Sequence, residues 1–213
     1  MRIIDLETWP RRKHYEFFKN MSMPHFNLTA NVDITEFYPA VKKRETSFTV
    51  AVAYILARVA NDILEFRLRI QDDRLVEYEV VHPSTAILVD EDKFSFCFFE
   101  YHEDFSQFSV GAAKQIEAVK ASLLLDDPPD VDKYLFMSSI PWVSFTSMMH
   151  PLELNPADSV PRIAWGKYFR QGDRLMMPLG VQAHHALMDG VHMGRYYQKV
   201  QTYLDQPELA LGS

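Results

Sequence analysis

From Arg174 to His185 apolar and polar residues alternate, and the run empties into Ala186-Leu187-Met188-Asp189-Gly190, after which the apolar spacing becomes helical to about Leu204. Alternation over that length specifies a strand with two unlike faces. Leu175, Met177, Leu179, Val181, Ala183 and His185 belong to one, and Met176, Pro178, Gly180, Gln182 and His184 to the other. A fold containing this strand needs a hydrophobic layer against the first face. Two adjacent imidazoles on opposite sides of a strand cannot share one task.

The rest of the chain supplies that layer. Thr8-Trp9-Pro10 opens a helix over about Arg11 to Asn20, with Tyr15 and Phe18 on its buried side, and Phe26 to Val32 alternate as a strand. A short helix is expected from Ile34 to Val41. Phe48, Ala51, Val52, Ile55, Leu56, Val59 and Ile63 recur at helical spacing and define a core helix. Phe66–Ile70 and Leu75–Val81 flank the turn Gln71-Asp72-Asp73 as a hairpin, and strands are expected at Thr85–Asp90 and Phe94–Tyr101. A second long helix is expected from Phe105 to Leu124, where Asp126-Asp127-Pro128-Pro129-Asp130 breaks it. Strands near Tyr134–Ser138, Val143–Ser147 and Arg162–Arg170 complete the set. Interspersed helices and hairpins predict an α/β (α+β) fold, a mixed sheet with helices on one face, as one domain over 1–213.

Composition narrows the partners. A net charge of -7 and no basic run longer than Lys42-Lys43-Arg44 argue against nucleic acid. Cys97 is the single cysteine, which excludes an intrachain disulfide framework and fits a reducing cytoplasm. The apolar stretch Val50–Ala57 ends at Arg58, far short of a membrane span, and Met1–Glu7 lacks a secretory core, so a soluble cytoplasmic protein is expected.

Chemistry concentrates in His184-His185-Ala186-Leu187-Met188-Asp189-Gly190. Imidazole, with an ordinary pKa of about 6.5, can take and return a proton near neutrality. Three readings stand on the residues alone. One histidine is interior and the other superficial; or His184 or His185 joins Asp189 and His192 around a metal; or a histidine is a general base with a nearby carboxylate and no metal.

Along almost its whole length the chain resembles the chloramphenicol acetyltransferases, trimeric enzymes that move an acetyl group from acetyl-CoA to a drug hydroxyl. The resemblance is carried by Trp9-Pro10-Arg11-Arg12-Lys13-His14-Tyr15-Glu16-Phe17, Phe26-Asn27-Leu28-Thr29, Leu68-Arg69-Ile70-Gln71-Asp72-Asp73, Pro141-Trp142-Val143-Ser144-Phe145-Thr146-Ser147, Gln171-Gly172-Asp173-Arg174-Leu175 and the histidine heptapeptide. It implies the two-layer sandwich of that group, His185 as the general base and Ser147 as the donor to the tetrahedral oxyanion. Asp189 becomes a structural partner of Arg11 rather than a relay to the histidine. Phe17, Phe18 and Phe145 become walls of the acceptor pocket, and Lys167 a contact for the CoA phosphates. Acetyl-CoA is the co-substrate, no metal is required, and the site lies between subunits of a homotrimer that confers antibiotic resistance.

Three departures touch the acceptor. Phe18 stands where the family has a tyrosine, Ala164 where it has a threonine that helps hold a water, and Pro24-His25 alter the stretch after the first helix. Another hydroxyl compound is therefore the alternative acceptor. A non-catalytic relative that kept the fold as a binding or scaffold module, and a metal-dependent hydrolase, are rivals from other classes.

Overall fold

The computed structural model describes residues 1–121 and 128–212. In chain order the elements are β1 (Arg2–Ile3), α1 (Arg12–Phe18), β2 (His25–Asp33), α2 (Phe37–Lys43), α3 (Phe48–Asn61), β3 (Leu68–Gln71), β4 (Arg74–Glu77), β5 (His82–Leu88), β6 (Phe94–Phe98), α4 (Phe105–Lys120), β7 (Tyr134–Ile140), β8 (Arg162–Gly166), β9 (Phe169–Gln171), β10 (Arg174–His184), α5 (Gly190–Asp205) and α6 (Glu208–Leu211). The end expected for the second long helix, residues 122–124, and the acidic start of its breaker, residues 126–127, lie outside the described residues.

Seven strands form the main sheet in the order β2-β10-β8-β7-β5-β6, with β9 also pairing β10. β10 runs antiparallel to β2 and β8, whereas β7 is parallel to both β8 and β5. The sheet is therefore mixed, as the interspersed elements required. Met177, Leu179, Val181 and Ala183 of β10, Ile163 and Trp165 of β8, and Leu135 and Met137 of β7 join the residues of α3 and α5 in one buried cluster. Burying each Val, Leu, Ile or Met side chain among them contributes about 1.5–3 kcal/mol.

Helix α3 sits at the middle of that layer. Ser47 caps it by accepting a hydrogen bond from the Val50 amide, and Val50 to Ala57, Val59 and Ala60 are all buried. A helix enclosed on nearly every side needs small residues where neighbours come close, and Ala51, Ala53, Ala57 and Ala60 supply them.

Three expectations are corrected. The strand expected from Phe66 begins at Leu68, because Leu64–Arg67 closes as a 3-10 turn with the Phe66 amide on the Ile63 carbonyl. Val143–Ser147 is not a strand: its backbone contact is a single bond from the Lys167 amide to the Val143 carbonyl, after which the chain leaves the sheet. The strand expected over Arg162–Arg170 is interrupted at Lys167-Tyr168 and resumes as β9. β1 and α6 are too short to carry a periodic signal.

A smaller antiparallel sheet, β1-β4-β3, is fastened to the main one by Arg69. Its fully buried guanidinium donates to four backbone carbonyls, those of Asp132 (2.7 Å), Phe66 (2.9 Å), Leu68 (2.7 Å) and Tyr134 (3.0 Å). Burial pulls its pKa down to about 10, which still leaves it charged at neutral pH. Arg69→Leu would strand these carbonyls in a dry interior. A loss of about 3 kcal/mol or more is expected, read as a lower urea midpoint with unchanged slope at fixed protein concentration.

Candidate active site

His185 continues the β10 ladder one residue past the strand, its amide donating to the Pro24 carbonyl at 2.8 Å. The imidazole lies flat on Phe18, with ring centroids 3.9 Å apart and planes within 4°, and Phe26 leans on it at 4.6 Å. Phe26 pairs with Ala183, so His185 stays on the helix-covered side of the sheet as the alternation required. Nδ1 is enclosed without a hydrogen-bond partner among the described residues, while Nε2 is not enclosed. An imidazole clamped between two rings with one nitrogen open has the geometry of a general base.

His184 faces the other way. Its Nδ1 accepts a hydrogen bond from the Ala186 amide at 3.2 Å, which places its proton on Nε2, and its ring stands edge-on to His25 at 5.0 Å. Burial, aided by His25, pulls its pKa down to about 4. A buried imidazole this weakly basic is a poor proton acceptor at neutral pH. The His25 Nε2–H donates to the Asp158 carbonyl at 2.6 Å, and burial lowers its pKa as well.

Asp189 is committed elsewhere than to His185. One carboxylate oxygen accepts from Arg11 at 2.7 Å and the other from the Val191 amide at 3.1 Å, capping α5. Burial would raise this carboxyl, but the Arg11 hydrogen bond and the cap outweigh it and hold the pKa below the ordinary carboxylate range. Because Arg11 immediately precedes α1, the pair ties the start of α5 to the helix that carries Phe18. His192 directs Nδ1 to the Asp189 amide and Nε2 towards Glu65, so the imidazoles considered for a metal site do not converge.

Ser147, Phe145 and Lys167 lie apart from this cluster. The Phe145 ring packs onto Gly166 and reaches Gly180, where a Cβ at Gly166 would stand 2.9 Å from the ring. Gly180 and Gln182 belong to the sheet face opposite His185, and the His150 amide donates to the Gln182 side chain at 2.9 Å. Exposed Ser147 thus hangs between two anchors on the far face, and among the described residues no hydrogen bond joins it to His185. Phe145 is a half-buried packing residue at its Gly166 end. Phe17, by contrast, is 66% exposed and edge-on to Phe18 at 4.9 Å. Lys167 is exposed and has no carboxylate partner among the described residues. Phe26 is a site component that the sequence reading missed; pairing β2 with β10 in register puts it beside His185.

The fold is a two-layer α/β arrangement with a mixed sheet, and its candidate site is built around one histidine. A catalytic core of a 2-oxoacid dehydrogenase multienzyme complex from Thermoplasma acidophilum has the same fold at 16% identity, with a TM-score of 0.68 over 97% of this chain and 99% of the other. The family model for chloramphenicol acetyltransferase matches residues 1–201. A chloramphenicol acetyltransferase from Escherichia coli is 36% identical over 208 residues, 95% of this chain and 93% of the relative, and one from Bacillus pumilus is 30% identical over 93% and 91%. A solved chloramphenicol acetyltransferase superposes with a TM-score of 0.85 at 29% identity, covering 95% and 99%. The chain belongs to the chloramphenicol acetyltransferase family.

Two imidazoles, half-buried His150 and buried His184, set an acid limit. His150, with neither ring nitrogen partnered among the described residues, is pulled down to about 4 by burial and the Arg162 charge, as His184 is by burial and His25. Both bind protons more readily when unfolded, where the pKa is about 6.5. Their contribution is therefore complete above about pH 6.5 and declines as the pH falls towards 4. Urea midpoints at pH 7.5, 5.5 and 4.5 should fall in that order, and His150→Gln should flatten the decline.

Proposed function

We propose that this protein is an acetyl-CoA-dependent O-acetyltransferase that modifies chloramphenicol. His185 Nε2 removes the proton from the acceptor hydroxyl as its oxygen attacks the thioester carbonyl. The tetrahedral oxyanion accepts a hydrogen bond from the Ser147 hydroxyl, a contribution of about 10²-fold or more. On collapse, the carbon–sulfur bond breaks and the proton passes from His185 to the departing CoA sulfur. Both substrates are bound together and no acetyl group resides on the protein.

The observation that carries this reading is the imidazole of His185, pinned by Phe18 and Phe26 with Nε2 alone open. Asp189 and Arg11 fix the turn that follows it. Lys167, an exposed cation without a carboxylate partner among the described residues, would meet the CoA phosphates. With Ser147 and His185 on opposite faces of one sheet, a working site takes its base from one copy and its oxyanion donor from another. A homotrimer with interface sites, each chain a single soluble cytoplasmic domain, meets that requirement.

The acceptor pocket differs from the drug-acetylating pattern. Phe17, Phe18 and Phe145 offer it ring surface, but Phe18 has no hydroxyl, and Ala164, buried between Ser138 and Gly180, cannot hold a water as a threonine would. A missing hydrogen bond to substrate weakens discrimination. A different hydroxyl compound is thus the second reading.

Thiol release from acetyl-CoA with chloramphenicol and a panel of hydroxyl compounds tests both. Release with none of them would leave a binding or scaffold relative, and activity lost to a chelator would indicate a metal-dependent hydrolase. His185→Ala is expected to lower kcat by about 10³-fold or more while the protein stays folded. Loss with His184→Ala instead would reverse the assignment within the pair. Co-folding His185→Ala with Ser147→Ala should restore about a quarter of the sites in mixed trimers; no recovery would place both groups in one chain.

A further inference from the structure

We infer that His192 and Glu65 are positioning residues for the catalytic imidazole, linking the end of α3 to the turn that holds His185. The inference rests on the reading of His185 as the base. The Asp189 amide donates to His192 Nδ1 at 3.0 Å, so that nitrogen carries no proton and the ring proton sits on Nε2. Nε2 faces Glu65 Oε1 at 3.2 Å, and His192 is only 4% exposed. One imidazole thereby joins a carboxylate on the turn after α3 to the backbone of the residue that caps α5.

The link continues on both sides of His185. The Asp189 carboxylate holds Arg11, Arg11 immediately precedes α1, and α1 ends at Phe18, whose ring centroid lies 3.9 Å from that of the imidazole. His185 is thus fixed through its own backbone by the turn to Asp189 and through its ring by Phe18, and both fixtures meet at Asp189. Glu65 orients His192, and His192 orients Asp189. Neither touches the reacting atoms, so loss of the link should disturb the transition state more than substrate binding.

Substitutions can divide the link. A glutamine at the third helical position accepts from the cap amide in an ordinary capping box. His192→Gln therefore keeps the cap and breaks the bond to Glu65, as Glu65→Ala does from the other end. Both variants are expected to lower kcat about 10- to 100-fold with KM changed less than about twofold. Glu65→Gln, which retains an acceptor oxygen, should recover to within about threefold of the wild type. In protein labelled at histidine 13Cε1, the His185 resonance, assigned by its absence from His185→Ala, should shift in His192→Gln and Glu65→Ala as the ring leaves Phe18.

Unchanged kcat and an unmoved resonance in both variants would overturn the inference. So would kcat and KM changing together, or a fall in kcat matching the unfolded fraction. Full turnover by His185→Ala would instead refute the base assignment, while the resonance shift would still report whether the link positions the ring.

Discussion

Everything in this chain is arranged around β10, a strand hydrogen-bonded along both edges and required on both faces. Antiparallel partners on either side leave it no freedom of register. A slip by one residue would carry Leu179, Val181 and Ala183 out of the helix-covered layer and exchange the environments of His184 and His185. The hydrophobic effect that packs α3 and α5 on one face thus also decides which imidazole is buried with its proton locked and which keeps an open nitrogen.

The end of β10 needs a second restraint, because ladder bonds stop at His185. The Asp189 carboxylate supplies it by closing the first turn of α5 and holding Arg11. A carboxylate at a helix N-terminus is already favoured by the helix dipole, and the guanidinium adds a charge-assisted bond. One side chain therefore connects a strand end, a helix start and the short helix that carries Phe18. Using Asp189 as a relay to His185 would sacrifice those connections.

Much of this is legible in the sequence. Period-two alternation separated the two histidines, and helical spacing located α3 and α5, because both signals come from burial of one face. The resemblance of Trp9–Phe17 and the histidine heptapeptide to one family supplied roles that no periodicity can. What escaped has physical reasons. Val143–Ser147 has strand-forming composition but leaves the sheet, since Phe145 finds its packing on Gly166 instead of beside a neighbouring strand. Phe26 became part of the site only through pairing of β2 with β10, a contact between distant parts of the sequence. The apposition of His192 and Glu65 likewise depends on how α5 packs against the end of α3.

Arg69 has a consequence of another kind. Its partners are four main-chain oxygens, and every residue type carries one. Side chains at positions 66, 68, 132 and 134 can therefore change without removing an acceptor, provided the backbone keeps its path. None of the four acceptors is a carboxylate, so acidification removes no acceptor from the guanidinium. At the junction between the two sheets Arg69 thus reads only the path of the main chain, whereas the bonds of Gln71 to Asp132 and of Tyr78 to Asp130 beside it also require particular side chains. A substitution at the arginine removes all four bonds at once, whereas one at an acceptor position removes none of them.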